Sequence, residues 1–151
     1  MQLKWRHAGQ ACISANRVYV QKGVYDRFAR LIALRTAKLQ VGHGAAKGTT
    51  MGPLTTPRGI DKAIAHVEDA KKHGGHVILG GHKAKDTQGY FFEPTIITNA
   101  NAKMLITQEE SFAPVLALYP FETENEAVEM ANNTSVRFST FGKKNRSEDL
   151  R

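Results

Sequence analysis

The sequence predicts a single domain of α/β class, and three observations carry that expectation. Short β-branched and aromatic runs alternate with stretches of helical period. An apolar share of 41% and a charged share of 23% place the chain among globular proteins rather than disordered ones. Its 151 residues suffice for one hydrophobic core, and no internal repeat or low-complexity linker divides them.

Taken in order, Asn16-Arg17-Val18-Tyr19-Val20-Gln21 reads as a strand, broken by Gly23. Val24, Phe28, Leu31, Ile32 and Leu39 then fall on one helical face, with Arg27, Arg30, Arg35 and Lys38 mostly away from it. Val41 to Thr50 is a glycine-rich loop. A second helix starts at Thr56 as N-cap with Pro57 in the first turn. Ile60, Ile64, Val67 and Ala70 keep its period, and Gly74-Gly75 ends it. His76 to Leu79 is a short strand closed by Gly80-Gly81. Phe91 to Ile97 is an extended segment in which Pro94 argues for an edge or a bend. Val115 to Tyr119 is an apolar strand, and Thr123 with Glu126 forms a capping box for a helix reaching about Asn132. The alternation implies parallel crossovers.

The net charge of +7 invites an anionic partner. The positive residues are spread along the chain, however, and the nearest cluster, Lys143, Lys144, Arg146 and Arg151, is diluted by Glu148 and Asp149. No zinc-finger spacing or aromatic-and-basic RNA signature accompanies it; a cofactor phosphate or a carboxylate substrate, or loss of an acidic partner segment, explains the excess as well as DNA does, and no nucleic-acid partner is expected. No run of eighteen apolar residues predicts a transmembrane helix, and the first residues show no secretory h-region. The lone cysteine, Cys12, fits a reducing, cytoplasmic home, with a mitochondrial one also open.

Several motif readings fall away. Gly42-His43-Gly44 with Gly48 follows a helix rather than a strand and lacks dinucleotide-loop spacing, and Lys47-Gly48-Thr49-Thr50 reverses the order a P-loop needs. His73, His76 and His82 have no second cysteine or convergent carboxylate, so no metal site is expected.

Two segments carry more. In Lys4-Trp5-Arg6-His7-Ala8-Gly9-Gln10-Ala11-Cys12, Gly9 permits close approach to the thiol. A helix starting just after Cys12 would place that thiol at its positive end and favour the nucleophilic thiolate. Gln108-Glu109-Glu110-Ser111-Phe112-Ala113-Pro114-Val115 sets an acidic pair before an apolar strand.

Together these segments resemble the aldehyde dehydrogenase superfamily. Gly9-Gln10-Ala11-Cys12 is similar to its G-Q-x-C signature, and Glu110 to Val115 to its E-x-F-G-P-V motif. Met51-Gly52-Pro53-Leu54 and Phe92-Glu93-Pro94-Thr95 fit between them, so the resemblance covers residues 4–135. It implies that Cys12 adds to an aldehyde and that the adduct loses hydride to a nicotinamide, leaving a thioester for hydrolysis. The Cys12 N–H would help hold the oxyanion, Glu110 would bind the nicotinamide ribose, and Phe112 would pack beside the nicotinamide. Lys4-Trp5-Arg6 resembles the K-F-R of succinate-semialdehyde dehydrogenases, in which the arginine takes the distal carboxylate, a role suited to the guanidinium of Arg6.

Three positions depart from the pattern: His7 stands for asparagine, Ala113 for glycine, and Ser14 for the second cysteine of some relatives. The resemblance further implies an incomplete catalytic domain over 1–135, without the Rossmann-type cofactor domain or the glutamate base, followed by a divergent basic tail over 136–151. The expected function is NAD- or NADP-dependent oxidation of an aldehyde, succinate semialdehyde first, with the isolated chain inactive. The alternatives are a pseudoenzyme fragment that binds full-length dehydrogenase subunits and, below it, an anion- or nucleic-acid-binding module that uses the +7 charge.

Overall fold

A computed structural model describes residues 2–85 and 88–133. In chain order the elements are α1 (Gln2–Trp5), a 3-10 turn (Arg6–Gly9), β1 (Arg17–Gln21), α2 (Lys22–Thr36) and α3 (Pro57–Lys72). They continue with β2 (His76–Leu79), β3 (Thr95–Thr98), α4 (Leu105–Gln108), β4 (Val115–Phe121) and α5 (Glu124–Asn132). The basic tail expected over 136–151 lies outside the described residues.

The four strands form one sheet in the order β1-β4-β3-β2. β4 runs parallel to both neighbours, pairing Arg17 with Ala117 on one side and Thr95 with Val115 on the other. Val115 to Tyr119 is buried throughout, which is why this strand reads as a continuous apolar run rather than an alternating one. β2 departs from the expected parallel order and pairs antiparallel with β3. A parallel return needs a crossover, usually helical, whereas the described residues joining β2 to β3 hold no helix and extend the hairpin through the Lys83–Phe92 bridge. β3 starts one residue after Pro94, an internal strand that begins where the missing N–H no longer matters.

Local signals fix the helix ends. The Thr56 hydroxyl accepts the Gly59 N–H at 3.3 Å, Pro57 occupies the first turn, and Gly74 takes φ +86° just beyond the C-terminus. Thr123 accepts the Glu126 N–H at 3.2 Å, while the Glu126 carboxylate reaches back to the N–H of Glu122 at 2.8 Å, one residue beyond the usual capping box.

α2 forms as expected but is rotated from the expected face. Tyr25, Ala29 and Thr36 are buried, with Ile32 and Ala33 half-buried, whereas Val24, Phe28, Leu31 and Leu34 are exposed. The helix carries two apolar stripes about 100° apart, and the one holding small residues can approach the sheet. Tyr25 fixes this choice: its hydroxyl donates to the Leu118 carbonyl at 3.0 Å and accepts the Asn99 N–H at 2.8 Å. Among the described residues no helix is long and apolar enough to cross a membrane.

Candidate active site

The site is built on the parallel pairing of β1 and β4. Cys12 lies five residues before Arg17 and Phe112 five residues before Ala117, and Arg17 and Ala117 are partners in the sheet. Both motif loops therefore enter the sheet from the same end, although a hundred residues separate them in sequence. The Asn16 carbonyl extends the pairing by accepting the Ala117 N–H at 3.1 Å.

Gly9 presses the two loops together. A Cβ at that position would stand 2.3 Å from the Ala113 carbonyl oxygen, well inside contact distance. The chain reaches this contact through three successive left-handed residues, His7 (φ 51°), Ala8 (φ 53°) and Gly9 (φ 76°). Phe112, on the facing loop, is also left-handed at φ 40°. Such conformations cost L-residues roughly 1–2 kcal/mol each and persist where surroundings impose them. They also explain one departure from the motif, because histidine, like asparagine, is enriched among left-handed residues. Ala113 is fully buried and is not among the left-handed residues, so its backbone does not require the glycine of the family pattern.

Gln10 ties the cysteine loop to the loop ahead of α3. Its amide nitrogen donates to the carbonyls of His7 at 2.9 Å and Pro53 at 3.3 Å. Its oxygen accepts the Thr55 N–H at 2.9 Å and hydroxyl at 3.0 Å. Pro53 and Thr55 are thus the points on which this loop rests.

Cys12 is exposed and unpaired. It sits in a turn in which the Ser14 N–H donates to the Ala11 carbonyl at 2.9 Å. No helix follows it directly: the chain runs on through Asn16 to lie beside β4, so the condition under which a helix terminus would favour the thiolate is not met. Arg6 is exposed at the start of the 3-10 turn and forms no ion pair with any described residue. Glu110 is exposed, and Phe112 is 40% exposed on its left-handed backbone. The two members of the acidic pair differ in their contacts. Glu109 lies 3.5 Å from both Lys62 and His66 on α3, whereas Glu110 has no such partner among the described residues. His66 is buried, and burial holds its pKa below the usual histidine value against the opposing pull of Glu109. Among the described residues no cluster of His, Cys, Asp or Glu could hold a metal.

Lys4 and Asn16 were not legible as site residues. The Lys4 ammonium is buried at 3% exposure and donates to the Asn16 side-chain oxygen at 2.6 Å, across the foot of the cysteine loop. Burial pulls its pKa down to about 7. A lysine between Leu3 and Trp5 gives only a faint hint that it points inward.

Fold and site together define an α/β domain that presents one exposed thiol on a loop seated against a second sheet-anchored loop. The model of the aldehyde dehydrogenase family matches residues 1–141. The NADP-dependent succinate-semialdehyde dehydrogenase 1 of Schizosaccharomyces pombe is 46% identical over 136 residues, which are 90% of this chain and 27% of that protein. The 3-sulfolactaldehyde dehydrogenase of Pseudomonas putida is 40% identical over 93% of this chain and 29% of its own length. Among solved structures, an E. coli NADP-dependent enzyme superposes with a TM-score of 0.85 at 40% identity, covering 88% of this chain and 27% of that one. The chain belongs to the aldehyde dehydrogenase family, and it spans about a quarter of the length of the relatives it matches.

Proposed function

We propose that this chain carries the nucleophile-bearing part of an NAD(P)-dependent aldehyde dehydrogenase whose substrate is succinate semialdehyde. One observation carries the reading: an exposed Cys12 lies three residues beyond a left-handed run that Gly9 seats against the Ala113 carbonyl of the facing loop. The Cys12 thiolate adds to the aldehyde carbon, and the new alkoxide is stabilised by the Cys12 N–H. Hydride then leaves that carbon, and water cleaves the resulting thioester to release the acid and restore the thiol. A bound NAD(P) supplies the hydride acceptor. The exposed residues fit it: Glu110 offers a carboxylate without an ion pair among the described residues to a ribose diol, and Phe112 offers a partly exposed ring to the nicotinamide. Arg6, without an ion pair among the described residues, suits the distal carboxylate of the substrate.

Two contacts to a dinucleotide are few, so the 151-residue chain alone is expected to be inactive. Aldehyde oxidation is followed by cofactor reduction for the chain, and for a chimera in which residues 4–133 replace the matching segment of a succinate-semialdehyde dehydrogenase. The chimera should turn over and lose activity on Cys12→Ala. A folded, cofactor-binding chimera without turnover would overturn the reading, and Cys12-dependent turnover by the chain alone would overturn its inactivity. The exposed Val24, Phe28, Leu31 and Leu34 of α2 favour a second role, association with full-length subunits, which co-purification tests.

A further inference from the structure

We propose that Lys4 is a positioning residue for the candidate nucleophile: its buried head group clasps Asn16 and fixes the loop on which Cys12 stands. The inference deepens the dehydrogenase reading and rests on it for the importance of Cys12.

The clasp closes the loop at its foot. Lys4 and Asn16 are twelve residues apart, on either side of Cys12, and their side chains meet at 2.6 Å. Asn16 also hands the constraint to the sheet, since its carbonyl accepts the Ala117 N–H at 3.1 Å. The Lys4 nitrogen lies 3.3 Å from where a Cβ of Gly9 would stand, so it abuts the end of the left-handed run three residues before Cys12. One side chain therefore touches the approach to Cys12 and the departure from it.

Packing alone does not call for a lysine here. Lysine is almost never fully buried without a partner, and an apolar side chain of similar length would avoid its desolvation cost. Burial lowers the Lys4 pKa to about 7, yet the neutral amine still donates to an amide oxygen, so the clasp outlasts loss of the proton. What the amine supplies, and a methionine could not, is the directional link to Asn16.

Cys12 is the sole cysteine of the chain, so its alkylation by iodoacetamide can be followed by intact mass without ambiguity. The rate is compared among the wild-type chain, Lys4→Met, Asn16→Leu, the double variant and Asn16→Asp, which keeps an acceptor. Each single loss of the clasp should shift the rate about fivefold or more in one direction, and the double variant should add little to either, as coupled partners do. Asn16→Asp should stay near the wild-type rate, and Lys4→Met should keep or raise the thermal midpoint. Rates within about twofold throughout, effects that multiply in the double variant, or shifts that merely follow the thermal midpoint would overturn the proposal. If Lys4→Met does not fold, Asn16→Leu against Asn16→Asp reads the same clasp with Lys4 intact. Alkylation needs neither aldehyde nor cofactor, so its failure is separate from failure of the chimera.

Discussion

Adding a single methyl group at Gly9 should separate the two motif loops or destabilise the chain that holds them. The new carbon would sit 2.3 Å from the Ala113 carbonyl oxygen and 2.7 Å from its carbon, where ordinary contacts begin beyond 3.4 Å. Both atoms are backbone, so no side-chain rotation relieves the overlap. The left-handed φ of +76° adds roughly 1–2 kcal/mol for an L-residue, and overpacking adds about 1–3 kcal/mol. Gly9→Ala should therefore lose about 2–5 kcal/mol, a fall in thermal midpoint on the order of 10 °C for a domain of this size. Urea and thermal denaturation by circular dichroism measure the loss. Gly44→Ala is the control: nothing lies within 4 Å of its added carbon, and it should change stability by less than about 0.5 kcal/mol. Equal stabilities for the two variants would refute the close approach of Gly9 to Ala113.

Three further outcomes follow from described contacts. Lys4 has a folded-state pKa of about 7 against 10.5 when free, so between those values the unfolded chain binds a proton that the folded chain does not. Stability should accordingly rise with pH across that window by up to about 1.4 kcal/mol per pH unit, and Lys4→Met should flatten this rise in urea titrations; an unchanged slope would rule Lys4 out as its source. Thr56→Ala removes the side-chain cap of α3 and should cost about 1 kcal/mol in chemical denaturation, with Thr56→Ser recovering most of it. Gln10→Ala frees the cysteine loop from Pro53 and Thr55, costing about 1–3 kcal/mol; faster backbone amide exchange at Thr55 should report the release.

What could be read from the sequence was what short-range chemistry dictates. The cap at Thr56, the helix end at Gly74 and the buried strand Val115–Tyr119 depend on neighbours a few residues away, and all form. The orientation of α2 depends on which of two apolar stripes can meet the sheet, and the hydroxyl of Tyr25 reaching Leu118 settles that from 93 residues away. The same distance effect hid half of the site. Cys12, Arg6, Glu110 and Phe112 stand out by their residue types and motifs, whereas the pairing of Lys4 with Asn16 and the grip of Gln10 on Thr55 exist only after folding. No helix forms directly after Cys12, where Asn16 comes alongside Ala117 in the sheet instead.

The β1–β4 pairing has a consequence in time. Arg17 and Ala117 stand a hundred residues apart, so closing that contact requires one of the larger loops available to the chain. During synthesis at about 5–20 residues per second, β1 leaves the ribosome some 5–20 s before its partner strand. For that interval the cysteine has neither its facing loop nor the strand that anchors it. The Cys12 thiol is thus made well before its facing loop, and in the nascent chain it meets the cell without the surroundings that the folded protein gives it.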